Sequence, residues 1–146
     1  MFTTTIDFYL LNTVFQEDRY RFSCRLIDKA FLQHKKIFIQ VNTAEEGQRF
    51  DELLWTFRDI SFIPHRYLEV DSSIDPLLTV HIAVNKPVEL HADILLNLST
   101  RVPDYFSTFS RIIEVVSEEN ENKNQSRQKY KFYKTQQCHL MTHHIN

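Results

Sequence analysis

Between Lys123 and Lys134 the chain carries five basic residues, Lys123, Arg127, Lys129, Lys131 and Lys134, and no acidic one. At about 100° per residue, Lys123, Arg127, Tyr130, Lys131 and Lys134 share an arc of about 100°, and Lys129 falls on the other side of the helix. One tyrosine amid four cations on a stripe suits an acidic chain with an apolar or aromatic end, because cations pair with carboxylates and with ring faces. The plainer reading is a helix whose charges follow its dipole, with Glu118 and Glu119 at the start and lysines toward the end. A competing function is direct binding of single-stranded nucleic acid, with Tyr130, Phe132 and Tyr133 as stacking platforms.

A second group is Trp55 with Phe57, Phe62, Ile63, Pro64 and His65. Phe50, Leu53, Leu54 and Phe57 recur as the inward face of a helix, and Trp55 lies about 100° from Leu54, toward the rim of that face. A rim tryptophan followed by an aromatic-proline loop can anchor a partner, since such side chains dominate binding hot spots. On composition alone the favoured reading is that these side chains close the core beneath a loop. Cys138, His139, His143 and His144 invite a metal reading, with His139 and His143 at helical i, i+4 spacing. Against it, this is a polar chain end, and ends are commonly frayed. Asp7, Asp93 and Asp104 have no spacing that joins them as an acid/base pair. No GxSxG, HExxH or CxxC is present, so no catalytic role and no cofactor or metal is expected.

Composition narrows the field further. The 146 residues fit one domain, and 42% hydrophobic with 25% charged is an ordinary globular balance. A single glycine, Gly47, cannot build a phosphate-cradling loop, which needs several at set spacings. A net charge of −2 supplies no global field toward nucleic acid or membranes. Two cysteines, too few for a disulfide scaffold, fit a reducing cytoplasm, and no apolar run reaches the roughly 20 residues of a membrane span.

The elements that must position these residues alternate. Ile6–Leu11 reads as a buried strand, and Tyr20, Cys24, Ile27 and Phe31 mark one face of a helix beginning near Asp18. Ile37–Val41 is a second strand. Thr43 with Glu46 forms a capping box for the next helix, inside which Gly47 costs about 1 kcal/mol relative to alanine. Arg58–Asp75 is less regular. Thr79–Val84, Ile94–Leu98 and Ile112–Val116 are further apolar runs, and Pro103–Ser110 holds a short helix. The pattern predicts a three-layer α/β domain over 1–146 with an open, mostly parallel sheet and helices on both faces, Rossmann-like without a nucleotide-binding loop. Residues from about 135 to 146 are expected to form a less ordered tail.

The motifs resemble the chi subunit family of bacterial DNA polymerase III holoenzyme. Asp51-Glu52-Leu53-Leu54-Trp55 with Ser61-Phe62-Ile63-Pro64-His65 is similar to its D-E-x-L-W … S-F-[VI]-P-H signature. Asp93–Leu98 resembles its D-I-L-[IL]-x-L strand, Arg127-x-x-Tyr130-Lys131-x-Tyr133-Lys134 its R-x-x-Y-K-x-Y-[RK] helix, and Phe8-Tyr9-Leu10-Leu11 its opening strand. The resemblance implies a non-catalytic adaptor that pairs with the small psi subunit, and through it with the clamp loader. It also implies binding of the acidic, phenylalanine-ended C-terminal tail of single-stranded DNA-binding protein, without direct DNA contact. By position, Trp55, Phe62, Pro64 and His65 match the psi-facing region. Val116, Lys123, Arg127, Tyr130, Lys131 and Lys134 match the tail-binding surface. The family usually has a Gly-Phe-x-Leu turn where this chain reads Gln137-Cys138-His139-Leu140, so a differently built pocket floor is expected.

Overall fold

Alternating apolar runs and amphipathic helices leave the chain one economical arrangement, a sheet buried on both faces. A computed structural model describes residues 4–57, 63–69, 74–75 and 77–145. In chain order they form β1 (Thr5–Leu10), α1 (Gln16–Leu32), β2 (Ile37–Gln40), α2 (Ala44–Thr56), β3 (His65–Tyr67), β4 (Val80–Ala83) and β5 (Ile94–Asn97). A short 3-10 turn (Phe106–Thr108), β6 (Arg111–Val116), α3 (Asn120–Thr135) and β7 (His139–His144) follow. The strands make one seven-stranded sheet in the order β3-β4-β2-β5-β6-β1-β7, and every pairing is parallel. The open parallel α/β architecture therefore matches the sequence reading.

Side chains that alternate along the strands feed two cores. Ile37, Ile39, Ile82, Leu96 and Ile113 meet Cys24, Ile27, Phe50 and Leu54 of α1 and α2 on one face. Ile6, Phe8, Phe38, Leu95 and Ile112 meet Phe109 and Tyr133 on the other. The central strand β2 is buried at all four positions, as a parallel strand covered on both faces must be. Thr43 caps α2 as its sequence predicts, accepting from the Glu46 amide at 3.1 Å. The return bond differs: Glu46 accepts from the Asn42 amide at 2.7 Å and from the Tyr20 hydroxyl at 2.6 Å, joining α2 to α1. Gly47 owes its place to a close approach. A Cβ there would meet the Tyr67 ring at 2.2 Å, so the helix penalty is accepted for tight packing against β3.

Residues 139–144, expected within a less ordered tail, instead form β7, paired with β1 from Thr5↔His139 to Leu10↔His144. Their order comes from the neighbouring strand. His143 Nε2 lies 2.9 Å from Asp7 Oδ1, and its ring stacks on Tyr9 at 4.6 Å. Burial would raise the Asp7 carboxyl, but hydrogen bonds from His143 and Arg111 outweigh it and hold the group below its ordinary range. The strand also removes the helical spacing on which a His139–His143 metal pair depended. Among the described residues no group of three or more potential ligands is placed to hold a metal ion. No helix among them is long and apolar enough to cross a membrane.

The link from α3 to β7 passes through Gln137, whose φ of 60° lies in the left-handed region. There the amides of Gln137 and Cys138 donate to Lys134 O and Tyr133 O, both at 3.1 Å, closing the helix end. The Gly-Phe-x-Leu turn motif has glycine at this position. A side chain in that conformation costs roughly 1–2 kcal/mol. Gln137→Gly is therefore expected to stabilise the fold by about 1 kcal/mol, read as a higher urea midpoint at unchanged slope. A lower midpoint would refute this account of the turn.

His81 on β4 supplies a pH effect. It is 2% exposed, and its Nε2 has no hydrogen-bond partner among the described residues. Burial depresses its pKa below 6.5, against the attraction of Asp75. The native state therefore holds His81 neutral while the unfolded chain takes up a proton below about 6.5. Its stability contribution is complete above that pH and is lost as pH falls through the folded value. Between pH 7 and acidic pH the wild type should therefore lose more melting temperature than His81→Leu, which has no group to titrate at this position. A difference that does not change with pH would refute the neutral assignment.

Candidate functional site

Helix α3 presents two opposite faces. Its N-cap is Glu119, whose carboxylate accepts from the amides of Asn122 (2.8 Å) and Glu121 (3.0 Å), and those bonds lower its pKa. Its inner face is anchored in the sheet. Lys129, only 5% exposed, places Nζ 2.9 Å from Glu114 Oε1 and 2.6 Å from Ser99 O. Tyr133 donates its hydroxyl to Glu114 Oε2 at 2.7 Å, and Asn97 Nδ2 donates to the same oxygen at 2.9 Å. Burial, and next the neighbouring Glu114 charge, push the Tyr133 phenol far above its usual range.

With Lys129 and Tyr133 turned inward, the opposite face carries Lys123, Arg127, Tyr130, Lys131 and Lys134. Val116, Lys123, Arg127 and Tyr130 come together around a pocket of 270 Å³, joined by Phe8, Leu10, Ser126 and Thr142. The Phe8 and Tyr130 rings are 5.3 Å apart at 56°, which makes an apolar floor. A cavity of about 150 Å³ is enough to hold benzene, so this one has room for an aromatic side chain. At the rim, Lys123 Nζ is 3.5 Å from Glu118, and Arg127 Nη1 donates to Asn124 Oδ1 at 3.3 Å. Lys131 and Lys134 are exposed on the same helix and do not line the pocket. An apolar slot with a guanidinium and an ammonium at its mouth can take a ring and a carboxylate together.

Phe8, Leu10 and Thr142 escaped the sequence reading because they reach the slot from strands far along the chain. The alternation of Phe8 and Leu10 with Asp7 and Tyr9 was the one visible hint of their shared face. Of the three rings proposed as stacking platforms, Tyr133 is fully buried, and Phe132 packs edge-on against Phe106 at 5.4 Å. Tyr130 and Phe132 stay 38% and 39% exposed, but two residues apart they fall on nearly opposite sides of the helix, so with Tyr133 buried no stacking row remains.

The second group lies at the other end of the sheet, by β3. Trp55 is 41% exposed on the rim of α2. Beneath it sits His65, 4.2 Å from the indole between ring centroids and itself buried. The His65 ring is fixed at both nitrogens, Nδ1 at 2.7 Å from Ile63 O and Nε2 at 3.0 Å from Asp51 O. Its Nε2 is also 3.2 Å from Asp51 Oδ1. Burial raises the Asp51 carboxyl, partly offset by the attraction of His65. Asp51, Trp55 and His65 thus form one bonded unit, with half-buried Pro64 beside it. Phe62 lies outside the described residues.

A family model described as DNA polymerase III chi subunit, HolC, matches residues 3–141. The chain is 33% identical over 144 residues to a protein of Pseudomonas aeruginosa named DNA polymerase III subunit chi, covering 97% of each. Proteins of the same name from Haemophilus influenzae and Escherichia coli are 26% identical over 141 residues and 28% over 121. The first comparison covers 97% of both chains, and the second 82% of this chain and 80% of the relative.

Proposed function

The chain belongs to the DNA polymerase III chi subunit family, and from that premise we propose that it is a non-catalytic adaptor with two docking surfaces. One, around Trp55, Phe62, Pro64 and His65, binds the psi subunit and so attaches the chain to the clamp loader. The other, around Val116, Lys123, Arg127, Tyr130, Lys131 and Lys134, holds the acidic C-terminal tail of single-stranded DNA-binding protein. The observation that carries this reading is the pocket floored by Phe8, Val116 and Tyr130, with Arg127 and Lys123 at its rim.

In this mechanism the tail's last ring enters the slot and Arg127 clamps the terminal carboxylate through two parallel N–H bonds. Upstream aspartates meet Lys123, Lys131 and Lys134. The polymerase is thereby linked to coated single-stranded DNA with no contact between this chain and the DNA. Direct binding of nucleic acid is the weaker alternative, since Tyr133 is buried and the two exposed rings, Tyr130 and Phe132, fall on nearly opposite sides of the helix.

Calorimetric titration tests the reading with three ligands: a tail peptide, the same peptide lacking its final phenylalanine, and a single-stranded oligonucleotide. The full peptide is expected to bind, the shortened one to lose most affinity, and the oligonucleotide to bind weakly. Binding should also weaken with salt, because charges beyond about 10 Å are screened at 0.1 M ionic strength. Equal affinity for both peptides, or affinity insensitive to salt, would overturn the charge-and-pocket mechanism.

A further inference from the structure

Strand β7 closes the sheet at the edge beside the candidate pocket, and among the described residues it pairs only with β1. The hydrogen bonds fix which of its backbone groups are left over. His139 N donates to Thr4 O at 3.1 Å and Ile145 N to Leu10 O at 2.9 Å. In a parallel ladder each residue turns both backbone groups to the same side. Residues 139, 141, 143 and 145 therefore face β1, and Leu140, Thr142 and His144 turn their N–H and C=O groups outward. Natural edges are commonly blunted by lysine, proline or a bulge, and β7 has none of these over its six residues.

The same edge is overlooked by charge. Tyr130 and Arg127 of α3 meet Thr142 of β7 at the pocket, and by the helical period Lys134 falls on that side of α3 too. Because the chain turns back from α3 into β7 at residues 136–138, the two elements run antiparallel. Lys134 thus lies toward the His139 end of the strand, and Arg127 toward the Thr142 end. Lys123 stands beside Arg127 at the pocket itself, so a chain whose end is held there and whose preceding acidic residues reach toward Lys131 and Lys134 runs parallel to β7.

We propose that the acidic segment of the bound peptide adds to the sheet as a further parallel strand, pairing with the outward backbone groups of Leu140, Thr142 and His144. This rests on the tail-binding reading above and deepens it. The pocket recognises the chain end, and the edge binds the preceding backbone whatever its side chains. A second copy of this chain is the poorer occupant, because edge-to-edge pairing would bring two cationic α3 stripes together.

The test is amide hydrogen exchange followed residue by residue. The probes are a synthetic acidic peptide ending in phenylalanine, long enough to span β7, and its truncation to the final residues that fill the pocket. The long peptide is expected to slow exchange at Leu140, Thr142 and His144 by about tenfold or more, leaving Met141 and His143 unchanged. The truncated peptide should bind without protecting the three. N-methylation of the long peptide at the alternate amides that face β7 should reduce its affinity to that of the truncated one. Arg127-dependent binding of the long peptide without this protection overturns strand addition and leaves the pocket reading standing. Binding independent of Arg127 overturns the pocket reading itself. Protection that appears without peptide and grows with protein concentration identifies a second copy on the edge, and likewise overturns the proposal.

Discussion

Arg127→Ala is expected to abolish most binding of an acidic, phenylalanine-ended peptide while leaving the fold and psi binding intact. The guanidinium stands at the mouth of the slot, and among the residues lining it only Lys123 also carries positive charge. Hydrogen bonds to charged groups contribute about 1.5–3 kcal/mol each, so loss of the clamp should weaken affinity by at least tenfold. Little folding free energy should follow, because Arg127 is exposed and among the described residues its side chain makes a single 3.3 Å bond, to Asn124. Arg127→Lys should recover only part of the affinity, since an ammonium keeps the charge and loses the planar fork.

The control for this experiment is set by the sheet order. Trp55 and His65 lie by β3 at one edge, and the pocket lies by β7 at the other. Trp55→Ala should weaken psi binding by about 2 kcal/mol, as expected of an interface hot spot, and leave peptide binding unchanged. Measured against psi and the peptide, with melting curves beside them, the two substitutions should each affect one partner. If Arg127→Ala binds the peptide like wild type, or loses both partners while folded, the assignment of α3 fails.

Local signals in the sequence were read correctly where local physics decides them. The periodicity of Tyr20, Cys24 and Ile27 marks the buried face of α1, and Thr43 is the cap of α2. The helical wheel separated Lys129 from the other cations, and Lys129 is indeed buried. Strand β7 was missed because its order does not come from its own residues. Three of its six residues are histidine, and what fixes them is a ladder to β1, more than a hundred residues earlier in the chain. The pocket floor was half legible for the same reason. Lys123, Arg127 and Tyr130 share a helix face that a period of 3.6 reveals, whereas Phe8, Leu10 and Thr142 arrive through sheet pairing that no local pattern encodes. Strand β3, three residues long, is too short to show any period. His65 matches the family motif by position, but its burial beneath Trp55 appears only once β3 and α2 are side by side.

The largest loss of stability is expected at Glu114, which the sequence marks only as one acid in an apolar strand. It is 2% exposed, and its two oxygens accept from Lys129, Tyr133 and Asn97. Glu114→Ala would leave the Lys129 ammonium buried with a single carbonyl, Ser99 O, and the Tyr133 hydroxyl with no acceptor. Removing one partner of a buried ion pair costs about 3–5 kcal/mol, chiefly because the other charge remains desolvated. Lys129→Met should cost a similar amount by stranding the carboxylate. The double variant Glu114→Ala with Lys129→Met should lose less than the two single losses added together, since neither partner of the ion pair is then left buried without the other. Urea unfolding of the singles and the double forms the cycle that measures this. If the losses simply add, Glu114 and Lys129 do not act as a pair, and another contact must hold α3 against β6. If they couple as expected, α3 owes its seat to a buried charge on one face and is free to display Lys123, Arg127 and Tyr130 on the other.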